Sequence, residues 1–149
     1  MGADDPDPAA GERTETVRAR GHEHVQATHD STLELTSDDY LTTAGDCIVA
    51  TEADRVPADF DPAFVEACQN SGATLVLTLE AGGHRDRVTG RGHPALTFES
   101  DRSLVCRTSD YVDDRTVMVG ADGAATDIDR NLVAALADGV TCEATLSVQ

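Results

Sequence analysis

Lysine and tryptophan are absent from this chain of 149 residues, and its 11 basic residues, all Arg, face 28 acidic ones for a net charge of -17. Such a balance disfavours nonspecific nucleic-acid binding, because the chain as a whole repels a phosphate backbone. It does not exclude a local Arg cluster that binds an anion. Aromatic side chains are scarce too. Phe60, Phe64, Phe98, Tyr40 and Tyr111 are the full set, too few for a platform that stacks single-stranded bases. No apolar run nears the ~18 residues of a membrane span. The N-terminus has no basic and apolar signal pattern, so the expected compartment is the cytoplasm. Also missing are the Gly-rich phosphate loop ending in Lys-Ser/Thr, the dinucleotide fingerprint and the Gly-x-Ser-x-Gly elbow.

Asp outnumbers Glu, and Ala, Thr and Val are abundant. Surface carboxylates stay hydrated in concentrated salt, where the Debye length falls to roughly 3 Å and self-repulsion is screened. In dilute buffer the same charge works against the compact state. The composition therefore suits an acidic, halophilic protein of haloarchaeal type. Residues 1–14, with Asp4, Asp5, Pro6, Asp7, Pro8 and Gly11, are expected to form a disordered acidic tail. The remainder, 15–149, has the length of a single domain.

An internal repeat organises that domain. Arg20-Gly21-His22 returns as Arg91-Gly92-His93, and the same offset pairs Leu33 with Leu104 and Asp39-Tyr40 with Asp110-Tyr111. After a short deletion Asp46 aligns with Asp114, Asp54 with Asp122, Asp59 with Asp127 and Asp61 with Asp129. After another, Gly72 and Thr74 align with Gly139 and Thr141. About 20 identities over roughly 58 positions define two repeats, about 16–81 and 87–148. In each, strands are expected at Val25 to His29 and Thr32 to Thr36, at the apolar runs 47–51 and 116–119, and at 74–80 and 141–148. A short helix precedes the last strand, opened in the first repeat by Asp61 as cap and Pro62 at the first helical position. The fold expected is mainly β with two short helices, an internally duplicated β-sandwich or barrel with pseudo-twofold symmetry. A duplicated cradle-loop barrel is the second choice, from the turn at Ala44-Gly45-Asp46.

Gly21-His22 with Val25, Ala27 and His29, the run 41–49, Gly90-Arg91-Gly92-His93-Pro94 and the run 112–119 together resemble an archaeal family known as domain of unknown function 371. The resemblance covers roughly residues 15–149. It implies a mainly β, sandwich-like domain from an archaeon and brings no activity, cofactor or catalytic residue with it. His24 stands where the family pattern has Asn.

The candidate chemistry follows from the repeat. Cys68, Cys106 and Cys142 align with Leu136, Leu35 and Leu75, which marks them as core positions. Cys47 aligns with Arg115 instead and is the candidate nucleophile. Arg20, His22, Arg91 and His93 sit at equivalent turns, so pseudo-symmetry could bring them to one groove for a small anionic ligand or a protein partner. The competing reading is that each His only satisfies its own turn, duplicated with the fold. A divalent metal held by His22, His29, His93, Asp46 and Asp114 would instead give a metal-assisted, hydrolase-like enzyme. The carboxylates at 54, 59 and 61, with their counterparts at 122, 127 and 129, are expected to serve turns and helix caps. Asp113 and Arg115 are expected to close a turn by a salt link.

Overall fold

The computed structural model describes residues 13–149. Eight strands and two helices follow one another as β1 (Arg13–Arg20), β2 (Thr32–Thr36), β3 (Ile48–Ala50), α1 (Pro62–Cys68), β4 (Thr74–Ala81), β5 (His84–Arg91), β6 (Ser103–Arg107), β7 (Thr116–Met118), α2 (Arg130–Ala137) and β8 (Thr141–Val148). The second set of five elements has the order of the first. In β4, Leu75, Leu77, Leu79 and Ala81 are buried while Thr74, Val76, Thr78 and Glu80 point outward, and β8 alternates in the same way. That period of two puts one face of the sheet in the core and one in water.

The strands form two four-stranded sheets, ordered β1-β8-β4-β5 and β3-β2-β6-β7. The first is antiparallel throughout. In the second, β2 and β6 pair antiparallel and each takes a short parallel partner at its outer edge. Leucines and valines from both sheets join one hydrophobic cluster. The three phenylalanines meet within it, at centroid distances of 5.8 to 6.1 Å.

The strands do not close into a barrel, the alternative weighed beside the sandwich and the cradle-loop form. Single bridges, Arg20 to Thr51 and Arg91 to Val119, join the sheets at their edges. Beyond Arg20 the β1 edge is taken by a side chain: Arg18 N–H donates to the Asp54 carboxylate at 2.9 Å, and Asp54 N–H donates back to the Arg18 carbonyl at 2.9 Å. Asp122 does the same for Thr89 in β5, at 2.9 and 2.8 Å. An edge satisfied by a carboxylate has no groups left for another strand, so the ladder stops there.

One local expectation fails. Val25 to His29 is loop, not strand, because Ala27 adopts a positive φ of 51°, and Phe98 repeats this with 52°. A left-handed residue cannot continue a strand. The acidic tail expected over 1–14 lies outside the described residues except for Arg13 and Thr14, which open β1.

The helices tie the two halves together. Gly21, after β1, donates its N–H to Val140 at 2.8 Å and lies so close to the Leu136 carbonyl of α2 that a Cβ would overlap it. Gly92, after β5, donates to Ala73 at 3.1 Å and lies equally close to the Cys68 carbonyl of α1. Each turn thus rests on the helix of the other half, and only Gly permits that approach.

Candidate functional site

The two Gly-His turns come first. The His22 Nδ1 accepts the N–H of His24 at 3.0 Å, and the His93 Nδ1 accepts that of Ala95 at 3.0 Å. Each ring therefore caps its own turn through Nδ1, which places the proton of the neutral imidazole on Nε2. The register also separates them. Arg20 lies opposite Thr141 at the start of β8, and Arg91 opposite Thr74 at the start of β4. Since β8 and β4 are antiparallel, the turns sit at opposite ends of that pair, roughly 24 Å apart along the strands. The structure does not bring His22 and His93 to one groove.

His29 behaves like its counterpart. Its Nδ1 accepts the N–H groups of Ser31 at 3.2 Å and Thr32 at 3.1 Å. The Ser100 hydroxyl, 71 residues later, accepts those of Arg102 and Ser103, both at 3.1 Å. Asp46 and Asp114 face this cap through their backbone: the Asp46 carbonyl accepts His29 N–H at 3.2 Å, and the Asp114 carbonyl accepts Ser100 N–H at 3.1 Å. Among the described residues, no three His, Cys, Asp or Glu side chains cluster closely enough to hold a metal ion.

Cys47 lies on the outer side of the second sheet. Its thiol donates to the Glu34 carboxylate at 3.4 Å. Burial, then the charge and hydrogen bond of Glu34, push the thiol up to about 11. A nucleophilic cysteine needs the opposite shift. Cys68, Cys106 and Cys142 are buried in the core, where desolvation pushes each thiol up to about 12. At the other edge of this sheet, Asp113 holds the turn before β7. One carboxylate oxygen accepts from Arg107 and Arg115, each at 3.0 Å, and the other from the Thr116 hydroxyl and the Arg115 N–H, also at 3.0 Å. Burial alone would raise this carboxyl; the bonds from Arg115 and Thr116 and the charge of Arg107 outweigh it and bring it to about 2. Arg107 in turn lies 4.9 Å above the Tyr111 ring. The expected salt link is present, and a second Arg joins it.

The outer face of the first sheet is built differently, and the register lays it out in rows. Arg18, Glu143, Glu80 and Arg85 form one row across β1, β8, β4 and β5. Thr16, Thr145, Thr78 and Arg87 form the next, and Thr14, Ser147, Val76 and Thr89 the one after. Arg20 and Arg91 stand at opposite corners. Five of the 11 arginines therefore edge a face with two acidic side chains and a floor mostly of hydroxyls. Glu80 and Glu143 stand directly opposite each other, an arrangement that like charges make unfavourable. Each is neutralised by its outer neighbour, Arg85 at 2.8 Å and Arg18 at 3.4 Å. Arg20 donates to the Gly139 carbonyl at 3.2 Å. Among the described residues Arg20, Arg87 and Arg91 form no ion pair, and all three are exposed.

Of these five arginines, the repeat singles out Arg20 and Arg91 and passes over Arg18, Arg85 and Arg87. The available signal was their spacing: Arg18-x-Arg20 and Arg85-x-Arg87 place successive guanidiniums on one strand face. A cleft of about 580 Å³ at the β4–β5 hairpin, lined by Gly82, Gly83, His84 and Arg85, opens beside the first row. A second cleft, of about 530 Å³, lies between β1 and α1. Its Arg55 is already committed, to Glu15 at 2.7 Å and to the Thr16 carbonyl at 3.0 Å.

The fold and this face define a mainly β, two-sheet domain with arginines gathered on one sheet. The chain belongs to the family described as a domain of unknown function, DUF371, whose model matches residues 17–149. An uncharacterised protein of the archaeon Methanocaldococcus jannaschii is similar to it, 38% identical over 123 residues, which cover 83% of this chain and 90% of that one.

Proposed function

We propose that this is an anion-binding domain, and that it binds through the outer face of its first sheet. One observation carries the reading. On a chain of net charge -17, five arginines and two glutamates share one exposed face, a local surplus of three positive charges. The carboxylates of Asp54 and Asp122 lie along the two edges of this sheet, each held by a backbone N–H, and acidic groups more than about 8 Å away are screened. Arg20 and Arg91, the expected ligand residues, remain in this reading as corners of the face; His22 and His93 do not.

The same reading takes 15–149 as one sandwich-like domain of two repeats. The strands of the second half begin 71, 71, 68 and 67 residues after those of the first. Thr78 pairs with Thr145, and Glu34 with Val105, and each pair is also related by the local offset. Central strands that pair with their own counterparts are what a twofold axis through both sheets requires. The Asp-rich, Lys-free composition supports a salt-rich archaeal cytoplasm as the setting.

Thermal unfolding with inorganic tripolyphosphate, at ionic strength matched with KCl, tests the binding reading. The expected result is a higher Tm for the wild type and little change for the double variant Arg87→Gln, Arg91→Gln. An equal rise in both proteins, or no rise in the wild type, would overturn it.

A further inference from the structure

We infer that the anion this face takes is double-stranded RNA, held by its two phosphate backbones and the hydroxyls between them; this rests on the anion-binding reading above. The argument starts from dimensions. β1 and β5 are three strand spacings apart, roughly 14 Å, and Arg85 to Arg91 spans roughly 20 Å along β5. Two rails of guanidinium therefore flank a strip on β8 and β4 where Thr78, Thr145 and Ser147 present hydroxyls and where Glu80 and Glu143, at one end, are paired to Arg85 and Arg18. Guanidinium suits phosphate, because its planar fork of donors matches the oxygens. Hydroxyls both donate and accept, as a ribose 2′-OH does.

The shape selects among nucleic acids. A four-stranded face roughly 14 Å across enters neither groove of B-DNA, whose minor groove is only about 6 Å wide and whose major groove admits a helix or a two-stranded ribbon. The minor groove of an A-form duplex is wide and shallow, and displays its 2′-OH groups between two phosphate strands. Single strands are held by bases stacked on aromatic rings. This face has none, since the phenylalanines lie in the core and both tyrosines follow strands of the second sheet. An acidic peptide would satisfy the arginines and leave the hydroxyl strip without a role. The overall charge of -17 had pointed away from nucleic acid; the fold changes that expectation by segregating the arginines.

The test is fluorescence anisotropy with labelled duplex RNA of about 20 base pairs, long enough to cover such a face. The DNA duplex of the same sequence, the single RNA strand and polyglutamate are run beside it. KCl starts at the lowest concentration that preserves the circular dichroism spectrum seen in multimolar KCl. Duplex RNA should bind about tenfold more tightly than duplex DNA and more tightly than the single strand. Three unpaired arginines on phosphates imply a roughly 40-fold loss of affinity for each fourfold rise in salt. Arg87→Gln should weaken binding to both duplexes alike. Thr78→Val with Thr145→Val, which leaves every charge in place, should reduce the preference for RNA over DNA. Equal binding of both duplexes, preference for the single strand, or binding of polyglutamate alone would overturn the RNA inference and leave the anion-binding reading standing. Stabilisation by tripolyphosphate without binding of any nucleic acid would do the same. Absence of both would overturn the two together.

Discussion

The two sheets carry similar residues on their outer faces and use them in opposite ways. On the second sheet, outward-facing Thr36, Ser103, Val105 and Thr116 are almost fully buried beneath the chain's own connections. The arginines there are bound in place, Arg107 and Arg115 by Asp113 at 3.0 Å and Arg102 by Asp38 at 2.7 Å. On the first sheet the outward residues are exposed or half-buried, and among the described residues three arginines have no acidic partner. An arginine cluster is thus not a binding site by virtue of its composition. On one face the guanidiniums hold the protein together; on the other they are left for something else.

The largest effect belongs where the chain leaves the first sheet. Gly21→Ala would drive a Cβ into the Leu136 carbonyl of α2, a backbone atom that cannot turn aside. It should cost about 3 kcal/mol in chemical denaturation, and Gly92→Ala should cost a similar amount against α1. Next comes Asp113→Ala, which leaves Arg107 nine-tenths buried without its carboxylate. The expected loss is about 2 kcal/mol, with no change in the response to tripolyphosphate, because the second sheet's arginines serve the fold.

Asp113 also gives the comparison a pH signature. Its folded pKa lies below the ordinary value of 3.8, at about 2, so its contribution is complete above pH 3.8 and is lost as the pH falls toward 2. Urea titrations of wild type and Asp113→Asn across that window should converge at its acid end. A constant difference between them would contradict the assignment.

Smaller effects concern the turns. His22→Ala removes an acceptor for one backbone N–H and should cost about 1 kcal/mol, whereas His22→Asn can accept the same hydrogen and should cost less. Loss of tripolyphosphate binding in His22→Asn would return this ring to the site. The smallest change in stability is expected for Arg87→Gln, within about 0.5 kcal/mol, since the side chain is exposed and makes no ion pair among the described residues. Its effect should appear in binding alone.

Much of this fold was legible before any coordinates. Leu75 to Ala81 and Cys142 to Val148 alternate clearly, and the aspartates at 61 and 129 cap helices as their spacing suggests, Asp61 accepting from Ala63 at 2.7 Å and Asp129 from Asn131 at 2.7 Å. The strands β1 and β5 were not legible, because Thr14, Thr16, Arg18 and Arg87 alternate with few large apolar residues to mark a buried face. Val25 to His29 has a strand-like composition, and nothing in the identity of Ala27 announces its left-handed backbone. The candidate face was the hardest part to foresee. It depends on the register that sets hydroxyl-bearing β8 and β4 between two arginine-bearing strands, and register across four strands is a tertiary property. The repeat suggested one shared groove for the turns at Arg20 and Arg91, whereas an antiparallel central pair sends equivalent turns to opposite ends.

The most direct test of the difference between the two faces is an amide chemical-shift titration of the labelled protein with tripolyphosphate. The largest shifts should fall on Arg18, Arg87 and Arg91 and on the hydroxyl residues between them, Thr78 and Thr145, with Cys47, Tyr111 and Arg115 unmoved. Shifts centred on Cys47 and Arg115, with the first sheet silent, would contradict the account and move the binding site to the opposite side of the molecule.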